Sequence, residues 1–354
     1  SSIRPIDFPP AIVWETKSAN LVKEPGLFIS TSAKWTTVRD PIDFDLLAVD
    51  EAWQMSWADL MQCATLSKCY YMIGDPGQIP PVITIDIRRW QTAPRPPHKA
   101  APEVVLSDPD LLKDAFVGAL PACRRLPFES VDFVKPFYSF DFEAYAKPQE
   151  RRIEISNPKS DNKYSELLKA LSTSQPLIAA LPTPVDGPAM EVDSEIAGAV
   201  AEMVREILTS EVLIDEGSGQ LRPIQDSDIG ICATHRAMNG EITRVIDPGF
   251  GGVSVDTPER WQGLERPLMI VVHPLSSVTD PSDFDLETGR LCVMASRHKV
   301  GLIVITRDHV GKTLKSFIPE ATQAPGQPDI VGKGHEAHSL FWNSLAKENR
   351  IFNI

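Results

Sequence analysis

The sequence has few cysteines, no long apolar run and no excess of positive charge. Its five cysteines, Cys63, Cys69, Cys123, Cys232 and Cys292, are odd in number, scattered and never spaced C-x-x-C. Such a pattern suggests neither a disulfide framework nor a zinc site, and it fits a reducing, cytoplasmic setting. Apolar runs such as Met269 to Val272 and Leu302 to Ile305 fall far short of the ~20 residues that a bilayer-spanning helix needs. No signal-peptide pattern is seen, so none is expected. The 35 Lys+Arg residues are outnumbered by 48 Asp+Glu, giving a net charge of −13. That argues against a protein that coats nucleic acid by bulk charge, because such affinity comes from many cations on phosphates. A locally basic channel is compatible with it. The chain also opens Ser1-Ser2-Ile3-Arg4 without a methionine, a mild pointer to a fragment.

What remains is an ordinary globular composition, 354 residues with 42% hydrophobic and 23% charged. At about 100–200 residues per domain, the length suits two or three domains. Asp45 to Asp50 and Tyr70 to Gly74 are short apolar runs that read as buried parallel strands, with a helix between them over Ser56 to Thr65. Strand, helix, strand is the unit of a doubly wound sheet. A Pro-rich, Ser/Thr-rich stretch, Ser172 to Pro188, reads as a loop. A helix over about 191–209 follows it, with Val192, Ile196, Val200, Met203 and Ile207 on one face. Beyond it the spacing predicts strands at 228–233, 253–257, 268–273 and 302–306, and helices at 238–246 and 290–297. The expected architecture is α/β with mostly parallel sheets, in two domains over residues 1–115 and 116–354, the second with a Pro-rich loop near 172–190.

Two acids, Asp50-Glu51, stand directly after the first apolar run in Asp50-Glu51-Ala52-Trp53-Gln54. A magnesium-nucleotide enzyme needs such a pair there, one carboxylate for the metal and one to orient and deprotonate water. Alone, the pair also fits a helix-capping Asp beside a solvated Glu. The next run ends in Gly74-Asp75-Pro76-Gly77-Gln78-Ile79-Pro80-Pro81-Val82. These two segments, in this order and separation, resemble motifs II (D-E-A-x-Q) and III (G-D-x-x-Q-x-P-P) of the superfamily-1 helicases.

The resemblance continues along the chain. Cys123-Arg124-Arg125-Leu126-Pro127, followed by Phe137-Tyr138, looks like motif IV. The family arginine is matched by register to Arg125, with the adjacent Arg124 as the alternative. Thr257 and Trp261-Gln262-Gly263-Leu264-Glu265 resemble motif V, and Val293-Met294-Ala295-Ser296-Arg297-His298 resembles motif VI, with Ser296 and His298 departing from the family's V-A-x-T-R-A. Phe28 to Ser32 looks like the strand-Thr segment that precedes motif II.

The resemblance implies two RecA-like domains of the P-loop NTPase (AAA-type) fold that bind ATP and Mg²⁺. It implies Asp50 as the Mg²⁺ ligand, Glu51 as catalytic base, Gln78 as γ-phosphate sensor, and Arg125 and Arg297 as arginine fingers. Gln262, Gly263 and Glu265 would link the nucleotide to the strand-binding surface. The partner implied is single-stranded DNA or RNA, with Thr31, Thr234, His235 and Thr257 toward its phosphates and Trp35, Trp53 and Trp261 as stacking candidates.

The family's phosphate loop, G-x-x-x-x-G-K-[ST], is missing. Gly311-Lys312-Thr313 has Thr306 where the first glycine belongs and lies after motif VI, so it reads as a loop entering a helix. Without the loop and its strand, the first domain is incomplete and would expose unpaired edges and an apolar face. The expectation is therefore the C-terminal portion of a longer helicase, inactive in ATP hydrolysis by itself. The rival reading is a non-catalytic RecA-like scaffold or nucleic-acid-binding protein that has lost its phosphate loop. The region 139–190 matches no motif.

Overall fold

The computed structural model describes residues 26–37, 43–155, 163–319 and 330–354. The opening residues on which the fragment reading turns lie outside the described residues. The chain divides into two compact units, one of residues 1–75 and 80–116, the other of residues 76–79 and 117–354.

In the first unit, β1 (Leu47–Val49) and β2 (Tyr70–Met72) pair in parallel, Leu47 opposite Tyr70 and Val49 opposite Met72. Helix Trp57–Cys63 connects them. It starts where the sequence supplies a cap, the Ser56 hydroxyl accepting the Asp59 N–H at 3.1 Å. The runs read as buried strands, and they are not: Tyr70 is 41% exposed and Tyr71 58%, and Leu47 and Val49 are only half-buried. A parallel strand is buried only when neighbours flank it and helices cover both faces. Among the described residues this sheet has two strands, so the apolar runs are present without their cover.

The second unit is built on a six-stranded, all-parallel sheet. After β3 (Arg151–Ile155) come β4 (Leu177–Leu181), β5 (Val212–Glu216), β6 (Ile229–Cys232), β7 (Ser254–Asp256), β8 (Arg266–Val272), β9 (His298–Arg307) and β10 (Ile351–Asn353). The sheet runs β7-β6-β8-β9-β4-β10, every pairing parallel. Strand β3 instead pairs antiparallel with β5 in a small separate sheet. Alternate side chains of each central strand go to opposite faces. Ile178, Met269, Val271, Leu302 and Val304 join the core under helices Phe128–Val134, Thr288–Ala295 and Ile330–Lys347. Leu177, Leu268, Ile270, Ile303 and Ile305 join the core under Ser165–Leu171, Ser194–Thr209 and Arg236–Val245. Both faces are covered, which is why these strands read as unbroken apolar runs.

Strand β4 corrects the sequence reading. The Pro-rich stretch 172–190 was expected to be a loop, yet Leu177-Ile178-Ala179-Ala180-Leu181 lies inside the sheet between β9 and β10, every residue buried. The prolines, Pro176 and Pro182, sit just outside the strand, where no ladder N–H is needed. The helix expected from 191 begins at Ser194, because Asp193 caps it through the Glu195 and Ile196 N–H groups. Val192 is therefore outside the helix and 38% exposed. Gly311-Lys312-Thr313 lies within helix Val310–Ser316, and its amides serve ordinary helical bonds, Thr313 N–H to the His309 carbonyl at 2.8 Å.

The carboxyl end of β9 is pinned by a buried clamp. Arg307 donates from Nε and Nη2 to the two oxygens of Asp193 at 2.8 and 2.7 Å, and from Nη1 to the Pro182 carbonyl at 2.6 Å. The residue that caps helix Ser194–Thr209 thus also neutralises the arginine ending β9. No described helix is long and apolar enough to cross a membrane. All five cysteines are free thiols.

Candidate nucleotide and nucleic-acid sites

Asp50 and Glu51 stand immediately after β1 in a strained turn. Glu51 has φ 52° and ψ 40°, the left-handed region that non-glycine residues seldom occupy. The turn is held from three sides. The Asp50 carboxylate accepts the Glu51 N–H at 3.0 Å, the Ala52 N–H reaches the Ile73 carbonyl at 2.7 Å, and Gln54 Nε2 donates to Glu51 Oε2 at 3.1 Å. Gly74 is needed beside it, since a Cβ there would come within 2.9 Å of the Trp53 ring. Strain held in this way is a feature of functional sites. Trp53 is therefore half-buried against backbone.

Gln78 is placed with the second unit, unlike the domain division at residue 115. The segment Pro76–Ile79 packs there, Ile79 being buried in the same core as Leu126 and Leu291. A Cβ on Gly289 would lie 2.6 Å from the Gln78 carbonyl, so only glycine lets the Gln78 backbone approach helix Thr288–Ala295 so closely.

At the amino end of the six-stranded sheet, residues from the segments 123–127, 261–265 and 293–299 converge. Arg125 Nε donates to Glu265 Oε2 at 2.8 Å and Nη1 to the Ser296 carbonyl at 3.3 Å. The other Glu265 oxygen takes Lys299 Nζ at 2.9 Å. Lys299 also meets Glu216 at 3.3 Å, Glu216 meets Arg222 at 2.6 Å, and Arg222 meets Asp228 at 2.6 Å. The result is a ladder of alternating charge, Arg125, Glu265, Lys299, Glu216, Arg222, Asp228. Burial pushes the Glu265 carboxyl up, but its bonds to Arg125 and Lys299 outweigh this and hold it below the usual carboxylate range. Sequence reasoning found Arg125 and Glu265 and missed the other four: Arg222 lies six residues from both Glu216 and Asp228, but only the fold brings Lys299 between Glu216 and Glu265.

Gln262-Gly263 makes a type II turn. Gln262 has φ −59° and ψ 133°, Gly263 has φ 75°, and the Leu264 N–H returns to the Trp261 carbonyl at 3.1 Å. The third position of such a turn requires positive φ, hence the glycine. Gln262 Nε2 is buried, with no hydrogen-bond partner among the described residues. Arg297 is 1% exposed, and its Nη2 donates to the Ser296 hydroxyl at 3.0 Å. It is placed inside the second unit, and of the two matched arginines it is Arg125 that reaches solvent.

The phosphate-contact candidates of the second unit lie at the opposite, carboxyl end of the sheet. Thr234 and His235 follow β6 and line a small pocket with Glu191, Asp193, His273 and Ser276. Thr257 follows β7 but is 7% exposed, so its hydroxyl is largely withdrawn from solvent. Trp261, considered for stacking, is core: it is 1% exposed and donates Nε1–H to the Ile231 carbonyl at 2.9 Å. In the first unit, exposed Thr31 accepts the Lys34 N–H at 3.2 Å and so caps a four-residue helix, and Trp35 packs edge-on against Phe44 at 5.5 Å.

No family model matches the sequence, and no curated protein matches it. Among solved structures, the chain is similar to the helicase of PRRSV at 13% identity and a TM-score of 0.35, covering 78% of this chain and 38% of that one. It is also similar to the arterivirus nonstructural protein 10 helicase, at 13% identity and TM-score 0.34, covering 75% of this chain and 40% of that one. The same helicase in complex with DNA matches at 13% identity and TM-score 0.33, covering 73% and 38%. The chain thus spans about two fifths of the length of the helicases it matches.

Proposed function

We propose that the chain carries motifs II to VI of a superfamily-1 helicase or translocase, an ATP-hydrolysing motor that steps along a single strand of DNA or RNA. The observation that carries the reading is the strained Asp50-Glu51 turn after a parallel strand. It is followed in order by the Gln78, Arg125, Gln262-Gly263-x-Glu265 and Arg297 segments. A solvated Glu beside a capping Asp gives no reason for a left-handed Glu held by a side-chain hydrogen bond.

The residues present suit a magnesium nucleotide. Among the described residues no three His, Cys, Asp or Glu side chains form a metal cage, and Mg²⁺ on a nucleotide needs only one or two carboxylates beside the phosphates. The orphaned Gln262 Nε2 and the partly exposed Arg125 offer donors to an anionic ligand. In this reading ATP supplies the phosphoryl group whose hydrolysis drives stepping, and Mg²⁺ neutralises its charge. Asp50 would hold the metal. Glu51 orients the attacking water and takes its proton, a role worth roughly 10²–10⁴ in rate. Gln78 would donate to the terminal phosphate and Arg125 would compensate transition-state charge, whereas Arg297, 1% exposed, could join it only by leaving its place inside the second unit. Glu265 holds Arg125, and a bound nucleotide would have to compete with it for that arginine.

The 354 residues hold no phosphate loop, so hydrolysis is tested in a protein joining them to a G-x-x-x-x-G-K-[ST] segment. Single strands should stimulate its ATPase, and Glu51→Gln should abolish the stimulated rate. Equal, strand-independent rates in both proteins would leave the scaffold reading in its place.

A further inference from the structure

Four residues leave the unit that surrounds them in sequence. Asp75 and Pro80 belong to the first unit, whereas Pro76–Ile79 belongs to the second. Gly77 and Ile79 are buried there, and Gln78 between them is half-buried. Gly77 is received by Tyr138: a Cβ on the glycine would lie 2.6 Å from Cε1 of the ring. Gly77 is not among the glycines of positive φ, so the close approach of the ring, and no backbone conformation, calls for glycine. The ring is itself held by three partners. Phe140 and Phe142 meet it edge-on, with centroids 5.4 and 5.0 Å away, and the Cys292 thiol donates to its hydroxyl at 3.3 Å.

Cys292 lies in helix Thr288–Ala295, the helix whose Gly289 admits the Gln78 carbonyl. Gln78 therefore has a ring against the residue before it and a helix against its own backbone, and the bond between Tyr138 and Cys292 ties ring to helix. Phe140 and Phe142, which lock the ring, come from the stretch 139–190 that matches no motif. A tyrosine kept to fill the core would meet side chains; this one meets the backbone of the segment that carries Gln78. We propose that Tyr138 is a positioning residue for Gln78, a clasp on Gly77 that fixes where the Gln78 amide is presented. What Gln78 does from that place, donating to a terminal phosphate, rests on the motor reading above; the clasp itself does not.

The clasp is tested in the full 354-residue chain by amide hydrogen exchange at Gly77, Gln78 and Ile79, with the amides of β8 as the reference for the second unit as a whole. Tyr138→Ala should speed exchange at the three residues by about tenfold relative to β8, the share of one aromatic contact. Tyr138→Phe keeps the ring and should restore most of the protection. Gly77→Ala drives a Cβ into the ring and should speed the same amides, yet add little in the Tyr138→Ala background, because both act through one contact. Gly77→Ala alone decides the matter should Tyr138→Ala not fold. Positioning is then read in the phosphate-loop fusion. With β8 exchanging as in wild type, Tyr138→Ala should lower the strand-stimulated kcat by up to about 100-fold and leave KM for ATP unchanged, with rescue by Tyr138→Phe. If exchange at 77–79 is that of wild type in both Tyr138→Ala and Gly77→Ala, the clasp is overturned whether or not the protein is a motor. If exchange speeds but kcat holds in a fusion that Glu51→Gln inactivates, the clasp does not position Gln78 and the proposal falls. If the wild-type fusion shows no strand-stimulated ATPase, the motor reading fails and the role of Gln78 with it, while faster exchange still supports the clasp.

Discussion

Arg125 and Glu265, 140 residues apart in sequence, meet through a 2.8 Å charge-assisted hydrogen bond at the amino end of the parallel sheet. The bond joins the segment 123–127 to the turn after Trp261, and Lys299 Nζ takes the second carboxylate oxygen at 2.9 Å. Glu265 therefore stands between two cations that would otherwise repel. Because Arg125 and Glu265 are partly exposed, water and salt screen the pair. A double-mutant cycle with Arg125→Ala and Glu265→Gln should give a coupling of about 0.2–1 kcal/mol in urea unfolding, shrinking as salt rises. Zero coupling at low salt would mean that the ladder adds nothing to stability. In the ATPase, Arg125→Ala should cost about 10³–10⁵ in kcat if it serves as the finger.

The buried clamp at the other end of the sheet should behave differently. Arg307 and Asp193 are 2% and 6% exposed, and Asp193 is also the cap of helix Ser194–Thr209. Removing Asp193 takes two charge-assisted hydrogen bonds and the helix cap away and leaves buried Arg307 with only the exposed Glu195 carboxylate, at 2.8 Å, as an acid partner among the described residues. Asp193→Ala should therefore destabilise the second unit by about 2–4 kcal/mol, with a smaller loss for Asp193→Asn, which keeps the cap. A loss under about 1 kcal/mol for Asp193→Ala would contradict the clamp. Unfolding followed by the near-ultraviolet signal of buried Trp261 reads this unit.

Stability should fall in mild acid because buried histidines refuse protons. Burial, helped by the nearby Arg125 charge, lowers His298 to about 3, and burial together with the His335 charge lowers His338 to about 3. In the unfolded chain each titrates near 6.5. Between about pH 6.5 and 3 the unfolded state binds more protons, so stability is full above 6.5 and drops as pH falls, by up to ~1.4 kcal/mol per pH unit for each histidine. His338→Leu should flatten the pH dependence of urea midpoints between pH 7 and 5 by about one histidine's share. An unchanged slope would show that His338 titrates normally.

How much of this was legible in the sequence differs by residue. Leu268 to His273 and Leu302 to Thr306 announced buried strands because a sheet covered on both faces demands unbroken apolar runs. Leu177 to Leu181 makes the same demand, but five residues bracketed by prolines look like a loop when composition is averaged over 172–188. Ile351–Asn353 pairs with β4, some 170 residues away, and no local pattern signals that choice. His298, a departure from the family pattern, is explained only by the fold. It is 0% exposed, with Nε2 2.9 Å from the Ser130 hydroxyl, which in turn donates to the Ser174 carbonyl at 2.7 Å. At the candidate sites, residue types could be read from spacing; that Arg297 and Trp261 are buried and Arg125 is held by Glu265 depends on contacts distant in sequence.

Gly289 should tolerate no side chain. A Cβ there would meet the Gln78 carbonyl carbon and oxygen at 2.6 Å, backbone atoms that cannot swing aside. Gly289→Ala should cost about 1–3 kcal/mol, as overpacking does, and should displace Gln78. The ATPase of the phosphate-loop fusion should lose its strand stimulation even where the protein remains folded. Wild-type stability and stimulation in Gly289→Ala would show that motif III does not depend on this approach.

The strained Glu51 separates stability from activity. Its left-handed backbone costs a non-glycine residue about 1–2 kcal/mol, whereas glycine adopts it freely but loses more entropy on folding, by roughly 0.5–1 kcal/mol. The two effects nearly cancel, so Glu51→Gly should melt within a few degrees of wild type. Glu51→Gln keeps an oxygen for Gln54 Nε2 and should also leave stability unchanged. Neither variant has a carboxylate to take a proton from water, so both should lose the strand-stimulated ATPase. Activity retained in Glu51→Gly would remove Glu51 as the base. A large stability loss in Glu51→Gln would make the residue structural, since the hydrogen bond to Gln54 would then need the charge.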